Sequence, residues 1–367
     1  MKEDIYRKVQ RQLDRYSIGF PETESGVEIE ILKLCFTEEE AELFSELTGE
    51  LETPQSVAGR LNRPEGEMTA ELEKMAAKGI LYRYREGESI KYSAIPFIHG
   101  LLEFQALWEP KDLIRLTGKY IREKLHQNLS GAKSMRVLPI NESVDAQYRV
   151  ATYDDACEIL KKEEFIAVAD CSCRVQRRPF NKACDNPMEA CIMIGPMAHY
   201  YIENKMGRQI TLDEALKILE ECHAAGLVTQ TQAVTKPFMI CNCCSCCCGF
   251  LGNMKNTENP AERVISNHRA LIDQELCNGC NALCVNRCQV DAIRINAEGL
   301  AEIDYKRCIG CGVCAPVCPV NAISLVPKPA AEQIIPTETL HQQGVRTAKA
   351  RGIADMDEKH VITWGYE

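Results

Sequence analysis

Cysteine thiols are the groups in this sequence whose number and spacing most clearly indicate chemistry. The chain has 367 residues and 21 cysteines, of which only Cys35 and Cys157 precede residue 171. The other 19 lie between Cys171 and Cys318. In a cytosolic chain, cysteines clustered in this way are typical of metal-binding or redox chemistry rather than of a disulfide scaffold.

The strongest pattern is the run CIGCGVCAPVCPV, whose cysteines have the spacing C-x2-C-x2-C-x3-C and are followed by Pro319. This spacing lets three thiolates of one loop reach three corners of a [4Fe–4S] cube, while the fourth reaches a second cube. The segment CQVDAIRI (288–295) also recurs as CPVNAISL (318–325), at an offset of 30 residues. Such a repeat predicts a pseudo-symmetric module with two clusters, and it argues against two zinc ions, the alternative for eight cysteines.

Residues 268–326 resemble the two-cluster bacterial ferredoxins. The resemblance implies that the fourth cysteine of each run serves the other cluster. One cluster would then be bound by Cys277, Cys280, Cys284 and Cys318, and the other by Cys288, Cys308, Cys311 and Cys314. The sequence departs from the family in two ways: the first loop is one residue longer, C-x2-C-x3-C, and Gln289 replaces the proline expected after its last cysteine.

Ten further cysteines lie in two shorter segments before this module. The first segment contains Cys171, Cys173, Cys184 and Cys191. The second reads CNCCSCCC and contains Cys241, Cys243, Cys244, Cys246, Cys247 and Cys248. The four thiols of the first segment could ligate one metal centre or form a surface patch. Arg174, Arg177 and Arg178 lie beside them and would offset the negative charge of thiolates.

The crowding of the second segment limits what it can bind. In an extended strand, Cys241, Cys243 and Cys247 would face one way and the other three cysteines the opposite way. Ser245 and Gly249 instead favour a turn, which would let nonadjacent thiols surround one cluster. We expect the two segments to build one shared metal site with at least one further iron–sulfur cluster. Two sites, a zinc ion and a surplus redox-active dithiol are the alternatives.

The elements that must position these residues form three parts and a tail, with an α+β fold overall. Residues 1–100 predict a winged-helix-like domain, since helices over 37–49, 53–62 and 65–79 precede a hairpin over 80–95. Residues 101–267 predict a helical, cysteine-rich middle domain, with a strand over 165–170 and a helix over 211–226 in which Cys222 and His223 are core residues. Residues 268–326 predict the ferredoxin fold, and residues 327–367 a tail.

A winged helix raises the question of DNA binding, and the charges of its third helix argue against it. This helix carries four carboxylates and two lysines, namely Glu65, Glu67, Glu71, Glu73, Lys74 and Lys78. A helix that enters the major groove needs positive charge for the phosphates. We therefore expect this domain to dock a partner protein or to be purely structural. Trp364 in the tail could anchor a partner or a second copy of the chain in a homo- or hetero-oligomer; a loosely ordered tail is the alternative.

The middle of the chain resembles a group of proteins from anaerobes that carry a 4Fe–4S dicluster ferredoxin domain. The segments that match are CSCR (171–174), ACDNPMEAC (183–191), EECHAAGLVTQTQ (220–232) and ICNCCSCCCG (240–249). The resemblance extends to about residue 326 and implies electron transfer in an anaerobe. It implies no particular substrate.

The net charge and the lack of long apolar runs indicate the kind of partner and the location of the protein. The net charge is −10, which would steer basic partners. The start of the sequence contains no apolar signal-peptide region, and no run approaches the length that spans a bilayer. We expect a cytoplasmic protein without a membrane span.

Together these features predict an iron–sulfur electron-transfer protein that passes low-potential electrons between its ferredoxin domain and a further cluster, with an oxidoreductase or electron carrier as partner. A reductase with a catalytic cysteine-rich site for a small molecule or disulfide is the first alternative, and a redox-sensing regulator is the second. Whether the chain is itself an enzyme stays open. No dinucleotide-binding or phosphate-binding glycine motif is present, so flavin, NAD or ATP would come from elsewhere.

Overall fold

The computed structural model describes residues 4–106, 110–127, 133–353 and 361–366 and has an α+β fold. The chain divides into two compact units. The first unit comprises Met1–Ala132, Pro196–Arg208 and Glu338–Glu367, and the second comprises Lys133–Gly195 and Gln209–Thr337. The predicted division into four segments ending at residues 100, 267, 326 and 367 stays a prediction.

The helices, numbered in chain order, are α1 Ile5–Arg15, α2 Val27–Cys35, α3 Glu38–Glu46, α4 Pro54–Leu61, α5 Glu65–Ala77, α6 Leu102–Ala106, α7 Lys111–Tyr120, α8 Ala156–Leu160, α9 Ser172–Val175, α10 Gly195–Glu203, α11 Leu212–Ala224, α12 Gly249–Lys255, α13 Pro260–Arg263, α14 Leu283–Arg287 and α15 Leu340–Ala350. The strands are β1 Tyr82–Glu86, β2 Ser89–Ser93, β3 Met135–Val137, β4 Ile166–Asp170, β5 Glu189–Ile194, β6 Arg208–Ile210, β7 Val228–Gln232, β8 Met239–Cys243, β9 His268–Ile272, β10 Ile293–Ile295, β11 Ala301–Ile303 and β12 Ile323–Pro327. Among the described residues, no helix combines the length and the apolar character needed to cross a bilayer.

In the first unit, α3, α4 and α5 precede the antiparallel hairpin of β1 and β2, so the predicted order of elements is confirmed. Thr37 begins α3 with a capping box, since its hydroxyl accepts from the Glu40 amide while the Glu40 carboxylate accepts from the Thr37 amide. Pro54 occupies the first turn of α4, where its missing N–H costs nothing. The winged-helix fold itself stays a prediction.

The arginines of the hairpin are neutralised inside the first unit. Arg83 is 4% exposed and forms ion pairs with Glu73 at 2.6 Å and with Glu203 at 2.7 Å. Arg85 pairs with the other oxygen of the same Glu203 carboxylate. Neither arginine therefore adds uncompensated positive charge to the wing, which fits the weak expectation for DNA binding.

Trp364 belongs to the core of the first unit, so its predicted role as a partner anchor is wrong. Its side chain is 3% exposed and packs edge-on against Tyr82, with ring centroids 4.8 Å apart. The Tyr82 hydroxyl also donates a hydrogen bond to the Trp364 carbonyl, at 3.1 Å. Part of the predicted tail is thus ordered within the unit, together with helix α15; residues 354–360 of the tail lie outside the described residues.

The second unit contains a six-stranded sheet with the strand order β3-β7-β8-β5-β4-β6. The described pairings between β3 and β7, β7 and β8, β8 and β5, and β5 and β4 are antiparallel. The prediction of a helical middle domain is therefore wrong. The predicted strand over 165–170 is confirmed as β4. Strands β7 and β8 escaped prediction because they read VTQTQ and MICNC, so buried positions hold polar or thiol side chains instead of an apolar alternation.

The eight-cysteine segment continues the same unit with two smaller antiparallel pairs, β9 with β12 and β10 with β11. One hydrophobic core joins it to the large sheet, because Val228 and Leu251 from the sheet side pack in the same cluster as Ile309 and Leu325. The cysteine-rich strand β8 and the eight-cysteine segment are therefore parts of one packed body.

Two glycines let the cysteine loops pass close to neighbouring backbone. Gly310 has a φ of +64°, and a Cβ atom added there would lie 2.0 Å from the His268 carbonyl oxygen. Gly279, at the related position of the first loop, has a φ of +72°, and its Cβ would lie 2.2 Å from the Gly299 carbonyl oxygen. Any other residue would push these loops away from the backbone that they approach, in strand β9 at His268 and in the turn between β10 and β11 at Gly299.

We expect Gly310→Ala to destabilise the protein by about 2–4 kcal/mol, because it adds a backbone clash to the cost of a positive φ. Gly299→Ala is the matched control, since Gly299 has a φ of +81° but open space around it. The control should cost only about 1 kcal/mol. Urea unfolding under anaerobic conditions measures both, and equal losses in the two variants would contradict the close approach seen at Gly310.

Candidate metal centres

The eight cysteines of residues 277–318 surround two cavities. The first cavity is lined by four cysteines, Cys277, Cys280, Cys284 and Cys318. The second cavity is lined by Cys288, Cys308, Cys311 and Cys314. In each cavity three thiols come from one run and the fourth comes from the other, so the structure groups them in the crossed sets that the ferredoxin resemblance implies.

A backbone N–H donates a hydrogen bond to the fourth cysteine of each run, at the same position of the internal repeat. The Ala292 N–H donates to Cys288 Sγ at 3.2 Å, and the Ala322 N–H donates to Cys318 Sγ at 3.2 Å. The two bonds lie 30 residues apart in the sequence, as the internal repeat predicts. N–H donors of this kind stabilise thiolates and tune the metal they bind. The donor set and its surroundings fit a [4Fe–4S] cluster in each cavity.

Burial makes these thiols poor acids without a metal. Burial raises the pKa of Cys284 and Cys308, and it raises the pKa of Cys311 to about 12. Since metals bind the thiolate, cluster assembly must release protons, and it is favoured as the pH rises.

Six of the ten cysteines in the two shorter segments form a second constellation, which we name the six-thiol ring. Each thiol lies close enough to two others to shift its pKa, and these neighbour interactions close a circle. The members, in order around the circle, are Cys171, Cys173, Cys248, Cys243, Cys241 and Cys191. Both cysteine-rich segments contribute three thiols each.

The sheet explains why these six meet. Cys191 on β5 lies directly opposite Cys241 on β8, and Cys243 follows on the same face of β8. Cys171 comes immediately after β4, the neighbour of β5, and Cys173 lies in the short helix α9. Cys248 is the N-cap of α12, where its Sγ accepts from the Leu251 N–H at 3.4 Å. Strand register and one cap thus bring together residues that are far apart in the sequence.

A buried amide beside the ring lacks any partner within the described part of the chain. Gln230 on β7 lies opposite Cys241 and is 0% exposed, yet neither its Nε2 nor its Oε1 is hydrogen-bonded. An unpaired buried amide is costly, so such a group indicates a ligand or ion that would satisfy it. The sulfur atoms of an iron–sulfur cluster bound by the ring are acceptors for this amide, and this supports the fit of the ring to such a cluster.

The other four cysteines of the two shorter segments form a separate, compact set, which we name the four-thiol group. Its members are Cys184, Cys244, Cys246 and Cys247, whose sulfur atoms all lie within 4.8 Å of one another. Strand β8 ends at Cys243, and the turn that follows presents the last three of these thiols, while Cys184 comes from the loop before β5. Cys246 is exposed, so this group reaches the surface.

Arg174 connects the two thiol sets electrostatically. Its guanidinium is 0% exposed and donates to Cys244 Sγ at 3.7 Å and to the Asn242 carbonyl at 3.1 Å. Interactions with the neighbouring thiols of Cys173 and Cys191, together with the positive charge of Arg174, lower the pKa of Cys171 well below its usual value. Burial opposes ionisation of Cys184, but hydrogen bonds from Asn186 lower the pKa of Cys184 to about 6. Both sets therefore contain a thiol prepared to be a thiolate.

The comparisons with known proteins bear on the eight-cysteine segment. The model of a family described as a 4Fe-4S dicluster domain matches residues 270–325, which contain both cavities. Residues 270–325 belong to the 4Fe-4S dicluster domain family. We call this segment the dicluster domain from here on.

Curated relatives match the same part of the chain. A tetrathionate reductase subunit of Archaeoglobus fulgidus is 44% identical over 62 residues, 17% of this chain and 30% of that protein. A ferredoxin of Pyrobaculum islandicum is 38% identical over 56 residues, 15% of this chain and 51% of that protein. The formate dehydrogenase iron-sulfur subunit of Wolinella succinogenes is 35% identical over 66 residues, 16% of this chain and 33% of that protein. The chain thus spans about half or less of these relatives, and no solved structure matches it significantly.

The ten thiols of the two shorter segments form two sets, whereas one shared metal site was predicted. The two segments do meet, as expected, but the structure divides the ten thiols between the six-thiol ring and the four-thiol group. The turn after Cys243 is the reason, because it places Cys247 with Cys244 and returns Cys248 to the face of Cys241. Cys222 is buried in α11, outside both sets, as predicted.

Some residues of these sites were predicted and others escaped prediction. Arg174 lies beside the thiols as expected, whereas Arg178 pairs with Asp170 at 3.6 Å instead. Gln230 and Asn186 were missed, because an amide carries no sequence signal for a metal site. Gln289 departs from the ferredoxin pattern, and this departure is the sequence signal for its contact with the cysteine-rich turn.

Proposed function

We propose that this chain is an iron–sulfur electron-transfer protein. In this proposal the dicluster domain holds two [4Fe–4S] clusters, the six-thiol ring holds a further cluster, and low-potential electrons pass between them. A bound iron–sulfur cluster supplies one-electron chemistry, and its potential depends on charge, hydrogen bonds to sulfur and solvent exposure. The chain's own residues set those three conditions.

The observation that carries the proposal is a direct bridge between the dicluster domain and the cysteine-rich turn. Gln289 follows Cys288, and its Oε1 accepts hydrogen bonds from the Ser245 N–H at 2.9 Å and from the Ser245 hydroxyl at 3.0 Å. Its Nε2 donates to the Gly226 carbonyl at 3.1 Å. A proline at this position, as in the ferredoxin pattern, would make none of these bonds. The departure at Gln289 therefore holds the residue after Cys288 against the cysteine-rich turn, and this contact supports an electron path between the two regions.

The names of the curated relatives support a role in electron transfer with an oxidoreductase, but they do not identify the partner. Two of the curated relatives that match the dicluster domain carry the names of subunits of a tetrathionate reductase and a formate dehydrogenase. We propose that this chain likewise works with a partner oxidoreductase, in an anaerobe, and that its winged-helix-like domain docks that partner. The net charge of −10 would favour a partner with a basic surface.

The test removes the Gln289 side chain, which forms the bridge. We expect Gln289→Ala to keep its full iron content while the cluster of the six-thiol ring is reduced more slowly than in the unchanged protein. The lost hydrogen bonds should also lower stability by about 1–3 kcal/mol. Freeze-quench EPR after mixing with a low-potential electron donor follows the clusters separately.

The matched control is Gln274→Ala, since Gln274 lies in the same segment and its amide donates to the Ala301 carbonyl, at 3.0 Å, within the dicluster domain. The control should reduce all clusters at the rates of the unchanged protein. Equal rates in Gln289→Ala and in the unchanged protein would refute the bridge. A ring cluster that no low-potential donor reduces in the unchanged protein would refute the proposed function.

A further inference from the structure

We propose that the four-thiol group binds a single zinc ion, as a structural site distinct from every iron–sulfur cluster of the chain. The distances between its sulfur atoms carry the proposal. Cys184 Sγ lies 3.6 Å from Cys244 Sγ and 3.7 Å from Cys247 Sγ, and Cys246 Sγ lies 3.8 Å from Cys247 Sγ. Four sulfur atoms at the corners of a tetrahedron, each about 2.3 Å from a central zinc, stand about 3.8 Å apart. The group has the size of a one-metal site.

The cluster-binding sets of the same chain provide an internal comparison. In the part of the chain that the structure describes, no other three thiols lie within 4.8 Å of one another. This holds for the two crossed sets of the dicluster domain and for the six-thiol ring. A polynuclear cluster places several irons and sulfides between its ligands, so its thiols must stand farther apart than those around one ion. The four-thiol group differs from the cluster sets in the way that a mononuclear site should.

The surroundings of the group suit a tetrathiolate site. Zinc bound by four thiolates has a net charge of −2, which needs nearby positive charge and hydrogen-bond donors. Arg174 donates to Cys244 Sγ at 3.7 Å, and the Asn186 side-chain amide donates to Cys184 Sγ at 3.2 Å. Exposed Cys246 opens the site to the solvent, from which the ion can enter.

The site has a clear structural use. Cys184 lies in the loop that joins α9 to β5, while its three companions lie in the turn between β8 and α12. An ion held by all four would fix this loop against this turn. The same turn is also anchored through Cys248 in the six-thiol ring and through Ser245 in the Gln289 bridge, so the ion would add a further anchor, and the ring and the bridge would hold the turn without it. Zinc has no redox chemistry and would not itself carry electrons.

The test measures metals in the anaerobically purified full-length protein. We expect one zinc per chain, and zinc K-edge X-ray absorption should give four sulfur neighbours at about 2.3 Å and no iron neighbour. Cys184→Ser should lose this zinc with its iron content unchanged. Cys157→Ser is the control, because Cys157 is a half-buried thiol outside all the thiol sets, and it should keep the zinc.

Four results would overturn the proposal: no zinc in the unchanged protein, iron in place of zinc at this site, a zinc with fewer than four sulfur neighbours, or a loss of iron instead of zinc in Cys184→Ser. If Cys184→Ser fails to fold, Cys246→Ser gives the same comparison at an exposed position. The zinc and electron-transfer proposals fail separately. Absent zinc with all clusters present refutes only the zinc site, while bound zinc without a ring cluster refutes only the electron path.

Discussion

Replacement of Cys318 by Ala should remove the cluster of the first cavity and leave the cluster of the second cavity in place. Cys318 lies ten residues after Cys308 in the second run, yet it lines the cavity of Cys277 and its neighbours. A cluster that loses one of four ligands at a buried site is expected to be lost or degraded. The variant should therefore lack about four irons per chain.

Spectra decide which cluster is lost. Cys318→Ala should share the EPR and absorption changes of Cys280→Ala, whose thiol lines the same cavity, and should differ from Cys311→Ala. Cys222→Ala is the control, because Cys222 is a buried cysteine of the same unit outside every thiol set. If Cys318→Ala instead matched Cys311→Ala, the crossed assignment would be wrong.

The second large effect is expected at the six-thiol ring. The double variant Cys171→Ser/Cys173→Ser and the double variant Cys243→Ser/Cys248→Ser should lose the same cluster signal, distinct from the two signals of the dicluster domain. The reason is that the ring takes half of its thiols from each segment, so neither half can hold the cluster alone. Both variants should also lose stability, because the folded chain binds the cluster and the unfolded chain does not.

The variant Cys244→Ser/Cys246→Ser provides the control for this result. Its two residues are neighbours of the ring cysteines in the sequence but belong to the four-thiol group. It should keep the ring signal and lose zinc. Different signals lost in the two ring variants, or the ring signal lost in the control, would show that the ten thiols are grouped in another way.

The sequence predicted those sites whose ligands follow one another in a short loop. The close spacing of three cysteines in each run predicts three ligands of one cluster, because the geometry of such a loop is local, while the exchange of Cys288 and Cys318 between the two sets was implied by the resemblance to the two-cluster ferredoxins. The helix starts at Thr37 and Thr53 were predicted for the same reason, since a cap depends on residues only a few positions apart.

What escaped prediction depends on pairing between distant strands. The register that sets Cys191 opposite Cys241 is not written in either segment alone, so the ten thiols could not be divided in advance between two sites. The buried strands β7 and β8 lack an apolar pattern, and for that reason the sheet itself was missed. The burial of Trp364 could not be predicted, because it packs on Tyr82, a residue 282 positions away in the sequence.

The central claim is that the middle domain holds a cluster of its own beside the two of the dicluster domain. The most direct measurement is the iron and acid-labile sulfide content of the anaerobically purified full-length chain, compared with that of Cys171→Ser/Cys173→Ser. Two [4Fe–4S] clusters account for about eight irons. We expect clearly more than eight irons in the unchanged chain and a fall to about eight in the variant. About eight irons in both proteins would contradict the central claim.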